Sequence, residues 1–521
     1  MALQAPPMAT TLFGQLQGDW ADSKQGIGVF KGVPYARAPV GELRFKPPQA
    51  PKPWLGVRNA DTFSDACWQH YSRNAFVWSR GEFPRSEDCL YLNIWNQVEY
   101  ETPRPVMVWF HGGAHTGGFG HADLFDGTRL AEQGVVLITI NYRLGPWGFL
   151  AHPALSAESS HNSSGNYGLM DKIAALNWVR DNISAFGGDA NNVTIFGQSA
   201  GSSSVCALLA SPMSEGLFHK AIGQSAACLT PPGADPDGQE RGQALVHAAL
   251  QSSGISSKRP ITAKTLRQID NRSLLDAVEK SGWAAQSRIV VDGWVLPEPA
   301  DSIFSAGRQH KIPVLLGSTA NEGHLLFPLN EDLSQSGFDA YLSKTFGSLS
   351  PALTEAYANE LKVSPGFAQR EIATDLFMAF GMRSWAGHMQ QAQTQTYLYF
   401  MEYVPPAFQI YLVNEPDLQL PDGPRSAGAY HSGDLVYVFN NLDRFAVAWS
   451  EDDRAMARAM SGYWTQFAKT GDPNRADLPF WPSYTSDQHQ TLLLDKKIET
   501  ISGVRRDKLD LMQQRFAVNT Q

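Results

Sequence analysis

The segment Val193–Ser202 constrains the fold of this chain more than any other stretch. A β-branched apolar run leads into Gly-Gln-Ser-Ala-Gly at 197–201, and a run rich in Ser, Ala and Leu follows. This order predicts a strand, a sharp turn and a helix, which is the setting of a nucleophile elbow. The turn strains the backbone of the serine and leaves room only for small residues two positions away, here Gly197 and Gly201. We therefore predict that Ser199 is a nucleophile at the N-terminus of a helix, where developing negative charge is favoured.

A second serine has similar neighbours. Gly223–Ala227 repeats the Gly-Gln-Ser-Ala of the first motif but lacks its second glycine. We expect Ser225 to be a hydrogen-bonded structural serine, because buried polar groups are almost always paired. A bare Gly-x-Ser-x-Gly also arises by chance, so the role of Ser199 depends on what the rest of the chain supplies.

The remaining sequence predicts a doubly wound α/β fold. Between residues 12 and 35, short alternating segments with frequent glycines indicate antiparallel strands. From Pro105 onward, continuous apolar runs indicate buried parallel strands that alternate with helices. The predicted parallel strands are 106–110, 135–140, 193–196, 221–223, 312–316, 397–400 and 491–494, and the predicted helices include 167–186, 366–394 and 452–469. Since no repeat or long polar linker interrupts the 521 residues, we expect one domain, 1–521, with a large, mainly parallel sheet and a small N-terminal antiparallel sheet.

Composition excludes several classes of function. The formal net charge is -9, whereas nucleic-acid binding needs a concentrated basic surface. No apolar run is long enough to span a bilayer, and residues 1–14 lack the basic and apolar regions of a signal peptide. The sequence has no His-Glu-x-x-His, Cys-x-x-Cys or P-loop motif, so no metal or other cofactor is expected. The expected partner is a small-molecule substrate, and the oligomeric state is left open.

A nucleophilic serine needs a histidine base, and the histidine needs an orienting acid that follows the serine in a fold of this kind. The predicted strand 312–316 is followed by the loop Ser318–Gly323. Such a loop begins at the carboxyl edge of the sheet, where active sites of α/β proteins lie, so Glu322 is the expected acid. Asp292 is the alternative, although its Asp-Gly setting is more typical of a turn.

Four histidines follow Glu322 in the chain. His324 is too close in sequence to face the acid, His388 lies within a helical pattern, and His489 lies in a polar segment typical of a solvated turn. His431 follows a loop of small residues and precedes an apolar segment. Loops of that kind carry catalytic side chains on a rigid scaffold, so His431 is the expected base.

Donors for an oxyanion are expected at a second junction of strand and loop. The segment Phe110–His115, Phe-His-Gly-Gly-Ala-His, follows a predicted strand. Small residues there let backbone N–H groups approach a substrate oxygen closely. The flanking His111 and His115 are interpreted as loop-packing residues. The assigned donors are Gly113, Ala114 and Ala200, the last of which follows the nucleophile.

With these elements in order, the chain resembles the type-B carboxylesterase family, which includes the cholinesterases. The resemblance extends over nearly the whole chain and implies an α/β-hydrolase fold and the cleavage of carboxylic esters through an acyl-enzyme. It also implies a triad of Ser199, Glu322 and His431, in agreement with the choice made from the residues. Its most specific stretches are 30–36, 86–93, 141–145, 165–171, 186–189 and 467–473.

The chain departs from the family pattern beside the nucleophile. The family usually has Glu before the serine, whereas this chain has Gln198, and the family's His-Gly-x-Glu corresponds to His431–Asp434. The comparison suggests that Asp434 approaches the same side of the site as Gln198. A neutral amide weakens the negative field that would favour a cationic substrate. Because Trp78 is also out of register with the choline-binding tryptophan of cholinesterases, a general ester hydrolase is expected.

The resemblance also implies a disulfide between Cys67 and Cys89, which bracket an irregular aromatic segment. Cys206 and Cys228 have no such counterpart and are expected to be buried free thiols. One disulfide implies an oxidising compartment, hence a secreted or periplasmic protein. The alternative is a cytoplasmic enzyme with four thiols.

The predicted function is a serine hydrolase that cleaves carboxylic esters. An amide or carbamate hydrolase with the same triad is the alternative, since the preference for a leaving group depends on the shape of the pocket. The family also contains non-catalytic adhesion proteins, but those have typically lost the serine or the histidine that this chain retains.

Overall fold

A computed structural model describes residues 5–71, 83–229, 236–254, 260–283, 289–406, 423 and 425–517. Trp78 lies outside these residues. Among the residues that the structure describes, no helix combines the length and the apolar character needed to cross a bilayer.

Most strands belong to one sheet of eleven strands, in the order β3-β4-β8-β10-β9-β11-β12-β13-β14-β15-β16. Its neighbours are parallel from β10 to β15 and antiparallel at both ends. The strands are β1 Met8–Thr11, β2 Gly14–Gln17, β3 Asp19–Asp22, β4 Ile27–Pro34, β5 Val57–Asn59, β6 Ala66–Cys67, β7 Arg85–Ser86, β8 Tyr91–Gln97, β9 Arg104–Phe110, β10 Val136–Ile140, β11 Gly188–Gln198, β12 Lys220–Gln224, β13 Val314–Thr319, β14 Thr396–Met401, β15 Gln490–Leu494 and β16 Glu499–Ser502.

Helices fill the connections between the strands. They are α1 Thr128–Ala131, α2 Gly145–Phe149, α3 Pro153–Ser156, α4 Tyr167–Asn182, α5 Ala200–Ala210, α6 Gln239–Ser253, α7 Ala263–Arg267, α8 Asn271–Ser281, α9 Ala300–Ser305, α10 Gly323–Leu326, α11 Gln335–Phe346, α12 Ser350–Ala356, α13 Ala358–Leu361, α14 Pro365–Thr374, α15 Phe380–Gln391, α16 Leu435–Val438, α17 Glu451–Thr470 and α18 Arg506–Ala517. The helix predicted over 366–394 is divided, because a π-helical turn at Asp375–Ala379 separates α14 from α15. Helix α17 begins at a capping box formed by Ser450 and Asp453, so its start is fixed locally.

Both faces of the sheet are covered, which explains the continuous apolar runs. In β9, Val106 and Val108 belong to the cluster that contains α4 and α5, whereas Met107 and Trp109 belong to the cluster that contains α17. All four side chains are fully buried. A strand that is buried on both faces has apolar residues at successive positions instead of alternating apolar and polar residues, as the sequence predicted.

The N-terminal strands differ from the prediction in their pairing. The separate small sheet consists of β1, β2 and β5, and its β1–β2 pair is antiparallel as expected. However, β5 joins β2 in parallel, and β3 and β4 extend the large sheet instead. The alternating pattern in residues 12–35 indicated strands correctly but carried no information about which sheet each strand joins.

Two disulfides tie loops to the core. Cys67 and Cys89 form the expected bridge, with Cα atoms 5.1 Å apart and a sequence separation of 22. The expectation that Cys206 and Cys228 are free thiols is wrong, because they form a second bridge with Cα atoms 5.5 Å apart. Cys206 lies on α5 and Cys228 follows β12, and the Cys228 N–H donates to Cys206 Sγ at 3.0 Å. Helix α5 packs beside β12, so it brings the two cysteines within bonding range.

Candidate active site

The elbow at Ser199 has the strained geometry that the sequence predicted. Ser199 lies between β11 and α5 with φ 56° and ψ -125°, in a region that side chains rarely adopt. A Cβ on Gly201 would lie 1.9 Å from Phe110 O, and one on Gly197 would lie 2.5 Å from the Gly201 carbonyl carbon. These approaches exclude any side chain at either position, so the two glycines allow the turn.

Three loops reach the same edge of the sheet because their strands are in register. Gly197 of β11 pairs with Phe110 of β9, and Gln198 pairs with Gln224 of β12, which in turn pairs with Gly317 of β13. The elbow, the loop after β9 and the loop after β13 therefore all begin at the carboxyl edge, where α/β proteins bind their ligands.

Glu322 and His431 are in direct contact. Glu322 is fully buried; its Oε1 accepts from the Thr319 N–H at 2.8 Å, and its Oε2 is 2.5 Å from His431 Nδ1. A carboxylate can only accept, so Nδ1 carries the proton and Nε2 keeps a lone pair in the neutral ring. The two loops are joined next to this contact, since the Asn321 N–H donates to Ala429 O at 2.9 Å.

Gln198 contacts the ring of His431. Its Nε2 lies 3.0 Å from His431 Nε2 and 3.5 Å from Nδ1. The lone pair of Nε2 lies in the ring plane and points away from Nδ1, so these two distances together place the amide nitrogen over the face of the ring. Within the described residues, Ser199 Oγ makes no hydrogen bond to His431; such contacts commonly tighten only when substrate is bound.

Asp434 lies in a network of buried side chains close to the proposed triad. Its Oδ2 accepts from Gln224 Nε2 at 2.7 Å and from the Tyr399 hydroxyl at 3.0 Å. Burial raises the pKa of Asp434 to about 6, and the charge of Glu322 adds to the rise while the bond from Gln224 opposes it. The carboxylate is thus hydrogen-bonded by two neutral donors.

Sequence reasoning did not identify Gln224, although a signal was present. The second Gly-Gln-Ser-Ala lies in parallel register with the first, so Gln224 is the direct neighbour of Gln198. Ser225 shares the left-handed φ of 56° but is fully buried. Its N–H donates to Gly317 O at 2.8 Å, whereas its hydroxyl has no partner among the described residues, so the expected side-chain hydrogen bond is wrong.

The loop after β9 presents free backbone donors. In the part of the chain that the structure describes, the N–H groups of Gly113, Ala114 and Ala200 donate to no acceptor. Gly113 and Ala114 both have positive φ, 108° and 51°. A Cβ on Gly112 would lie 2.9 Å from Gln198 Oε1 and 3.1 Å from Ser199 Cβ, which shows how closely this loop approaches the nucleophile.

The alternative residues have other partners. Asp292 accepts from the N–H groups of Trp294 and Leu296, so it organises a turn as its Asp-Gly setting indicated. His324 is 3.0 Å from Glu371 Oε1, and His489 is 2.9 Å from the Tyr484 hydroxyl. His388 lies within α15, as its helical pattern indicated.

Comparison with known proteins identifies the family. The model of the carboxylesterase family matches residues 5–513. The chain belongs to the carboxylesterase family. The para-nitrobenzyl esterase of Bacillus subtilis (strain 168) is 36% identical over 506 residues, which cover 94% of this chain and 95% of that protein. Liver carboxylesterase 1 of Oryctolagus cuniculus is 31% identical over 522 residues, which cover 92% of this chain and 88% of that protein.

Solved structures extend the likeness to the fold of this carboxylesterase. A PNB esterase structure superposes with a TM-score of 0.81 at 33% identity and covers 97% of this chain and 99% of that one. A carboxylesterase of Geobacillus stearothermophilus gives a TM-score of 0.81 at 32% identity, with the same coverage. The predicted α/β-hydrolase fold is therefore confirmed, and the protein is a serine hydrolase that cleaves carboxylic esters.

Proposed function

We propose that this carboxylesterase acts through a triad of Ser199, Glu322 and His431. The observation that carries the proposal is the 2.5 Å contact between His431 Nδ1 and Glu322 Oε2, at the sheet edge where Ser199 begins α5. A carboxylate in this position fixes the tautomer whose Nε2 can take a proton, and it stabilises the imidazolium that forms. The unpaired N–H groups supply the oxyanion hole, and they belong to Gly113, Ala114 and Ala200.

In this mechanism Ser199 Oγ attacks the ester carbonyl carbon while His431 Nε2 takes the hydroxyl proton. The tetrahedral intermediate places its negative oxygen on the three backbone donors, which need no reorganisation to receive it. Collapse expels the alcohol, to which His431 returns the proton. Water then attacks the acyl-enzyme with the same residue as base, releases the acid and restores Ser199.

The preferred substrates are proposed to be uncharged esters of small molecules. Gln198 brings a neutral amide to the ring of His431, where a carboxylate would attract a cation. The Asp434 carboxylate is buried and hydrogen-bonded to Gln224 and Tyr399, so it is not presented to a bound ligand.

Two further proposals concern the whole chain. The eleven-stranded sheet takes strands from Asp19 to Ser502, which supports a single domain over 1–521. The bridges Cys67–Cys89 and Cys206–Cys228 support an oxidising compartment, hence a secreted or periplasmic enzyme.

Replacing the nucleophile tests the central proposal. Ser199→Ala should lower kcat on a p-nitrophenyl ester by roughly 10⁵ or more, since the triad acts as a unit. Ser225→Ala is the matched control, because it removes a buried serine with the same local sequence, and it should retain full activity. A fluorophosphonate should label each chain once, at Ser199. Labelling at Ser225, or an active Ser199→Ala enzyme, would overturn the assignment.

A further inference from the structure

In the candidate oxyanion loop, the backbone carbonyls of His111, Gly112 and Gly113 each accept a hydrogen bond. His111 O accepts from the Tyr142 hydroxyl at 2.7 Å, and Gly113 O accepts from two N–H groups further along the loop at 2.9 and 3.0 Å. In a trans peptide the C=O and the next N–H point in opposite directions. The bond at Gly113 O therefore turns the N–H of Ala114 to the other side of the loop.

The intervening carbonyl, Gly112 O, is held by a side chain. It lies 2.7 Å from His111 Nδ1. Since a carbonyl can only accept, Nδ1 must carry the proton, and the bond turns the N–H of Gly113 away from the histidine. Gly113 is the first of the three proposed oxyanion donors, so the imidazole of His111 sets the direction of that donor.

The ring of His111 is well suited to this role. It is fully buried and stacks on Tyr142 with 4.4 Å between ring centroids and an angle of 19° between the planes. Burial lowers the pKa of His111 to about 3, although the hydrogen bond to the Gly112 carbonyl opposes this shift. The ring is therefore neutral in the working range of an esterase, and Nδ1–H is a fixed, uncharged donor.

Room for the bond is kept by Gly118. A Cβ on this residue would lie 2.5 Å from His111 Nδ1 and 2.8 Å from Gly112 O. Gly118 has φ 100° and is held from both sides by the buried Gln69, whose Oε1 accepts from the Gly118 N–H at 2.7 Å. Gln69 Nε2 donates to Gly118 O at 2.8 Å. Gln69 thus holds Gly118 in place, and Gly118 leaves the space that the bond between His111 Nδ1 and Gly112 O needs.

We propose that His111 is a positioning residue for ester hydrolysis, whose Nδ1–H orients the Gly112–Gly113 peptide so that the Gly113 N–H faces the oxygen of the transition state. The inference rests on the proposed oxyanion hole and assigns a task to a residue that sequence analysis interpreted as loop packing. A donor held in advance stabilises developing charge without reorganisation, so the effect belongs to kcat and not to ground-state binding.

A pair of substitutions separates the bond from the packing. His111→Leu fills a similar volume without a donor and should lower kcat by about 10- to 100-fold, somewhat less than outright loss of an oxyanion donor. His111→Asn places an amide nitrogen close to the position of Nδ1 and should recover most of the loss. In both variants KM should stay within about threefold, and the inhibition constant of a trifluoromethyl ketone should rise in proportion to the fall in kcat/KM.

A matched pair of tyrosines controls for lost stability. Tyr142→Phe removes the donor to His111 O, whose peptide carries the Gly112 N–H and none of the proposed donors, so kcat should fall less than in His111→Leu. Tyr35→Phe removes an equally buried hydroxyl that donates to the Asn141 carbonyl at 2.6 Å, outside the loop, and should leave kcat unchanged. Fluorophosphonate labelling of Ser199 in every variant shows whether the proposed nucleophile remains functional, so a failure of the triad is distinguished from a failure of this inference.

The inference is overturned if folded His111→Leu retains the wild-type kcat, or if His111→Asn is as slow as His111→Leu. Should His111→Leu not fold, Gly118→Ala tests the same bond, because its methyl group would push Nδ1 away from Gly112 O. An unchanged kcat in folded Gly118→Ala would then overturn it.

Discussion

Removing the charge of Glu322 while keeping its shape tests the two roles proposed for this carboxylate, which are to stabilise the imidazolium and to fix the tautomer of His431. In Glu322→Gln the amide oxygen can still accept from the Thr319 N–H, as Oε1 does at 2.8 Å in the wild type. The amide nitrogen would then face His431 Nδ1 as a second donor, so the ring is expected to take the other tautomer, with the proton on Nε2. The substitution therefore removes the negative charge opposite the imidazolium that forms when Ser199 attacks, and it also removes the acceptor that keeps the proton on Nδ1.

The size of this loss follows from the geometry. The contact between His431 Nδ1 and Glu322 Oε2 is 2.5 Å, and the two side chains are only 5% and 1% exposed. With charge centres about 4 Å apart and an effective dielectric constant of about 20, the interaction contributes about 4 kcal/mol to the transition state. At 1.36 kcal/mol for each tenfold change in rate, loss of the charge alone should lower kcat by about 10³-fold, and the changed tautomer should lower it further.

The assay is steady-state hydrolysis of a p-nitrophenyl ester, with active sites counted by fluorophosphonate titration and unfolding followed by circular dichroism. Asp292→Asn is the control, because it neutralises the alternative acid in its turn. It should retain activity within about threefold if Glu322 is the acid. A folded Glu322→Gln enzyme within about tenfold of wild type would contradict the electrostatic reasoning, and an equal loss in Asp292→Asn would transfer the role to that residue.

Three further outcomes are expected. Burial raises the pKa of Asp434 to about 6, compared with about 3.9 in an unfolded chain, so the folded state binds this proton more tightly. As the pH rises from about 4 to 6, the wild type should therefore lose up to about 3 kcal/mol of stability relative to Asp434→Asn. Urea unfolding of both proteins at pH 4 and pH 7 measures this difference. The kcat/KM for acetylcholine should lie within about threefold of that for its uncharged isostere, 3,3-dimethylbutyl acetate. Gln198→Glu should shift the preference toward the cationic acetylcholine. A strong preference of the wild type for choline esters would contradict the proposed substrate class. Thiol titration of the denatured, unreduced protein should find no free thiol, and titration after reduction should find four. Two free thiols before reduction would mean that one of the two bridges is absent in solution.

Two of the three residues proposed as catalytic, Ser199 and Glu322, could be chosen from the sequence because each follows a recognisable strand. A buried apolar run ends shortly before Ser199, before Glu322 and before the loop 110–115. Parallel strands bring such ends to one edge of the sheet. The bounds of these strands were predicted to within a few residues for the same reason. His431 was found by elimination, since its loop has no regular pattern, and its contact with Glu322 agrees with that choice.

What the sequence did not predict depends on the relative orientation of elements. The Cys206–Cys228 bridge requires that α5 lie over the end of β12, which no periodicity encodes. The bond from His111 Nδ1 to Gly112 O depends on a side-chain rotamer and on space left by Gly118. Local patterns fix where strands and helices are, whereas contacts between loops are fixed only by the assembled molecule.

If the proposed oxyanion hole is correct, the Cys67–Cys89 bridge should make the catalytic rate depend on the redox state of the surroundings. Gln69, which holds Gly118 on both sides, lies two residues from Cys67 and also donates to Cys67 O at 3.0 Å. Reduction would release this short segment while leaving the central strands paired. Ester turnover should therefore decline under reducing conditions before the sheet unfolds, so that an enzyme that reached a reducing compartment would be slow although still folded.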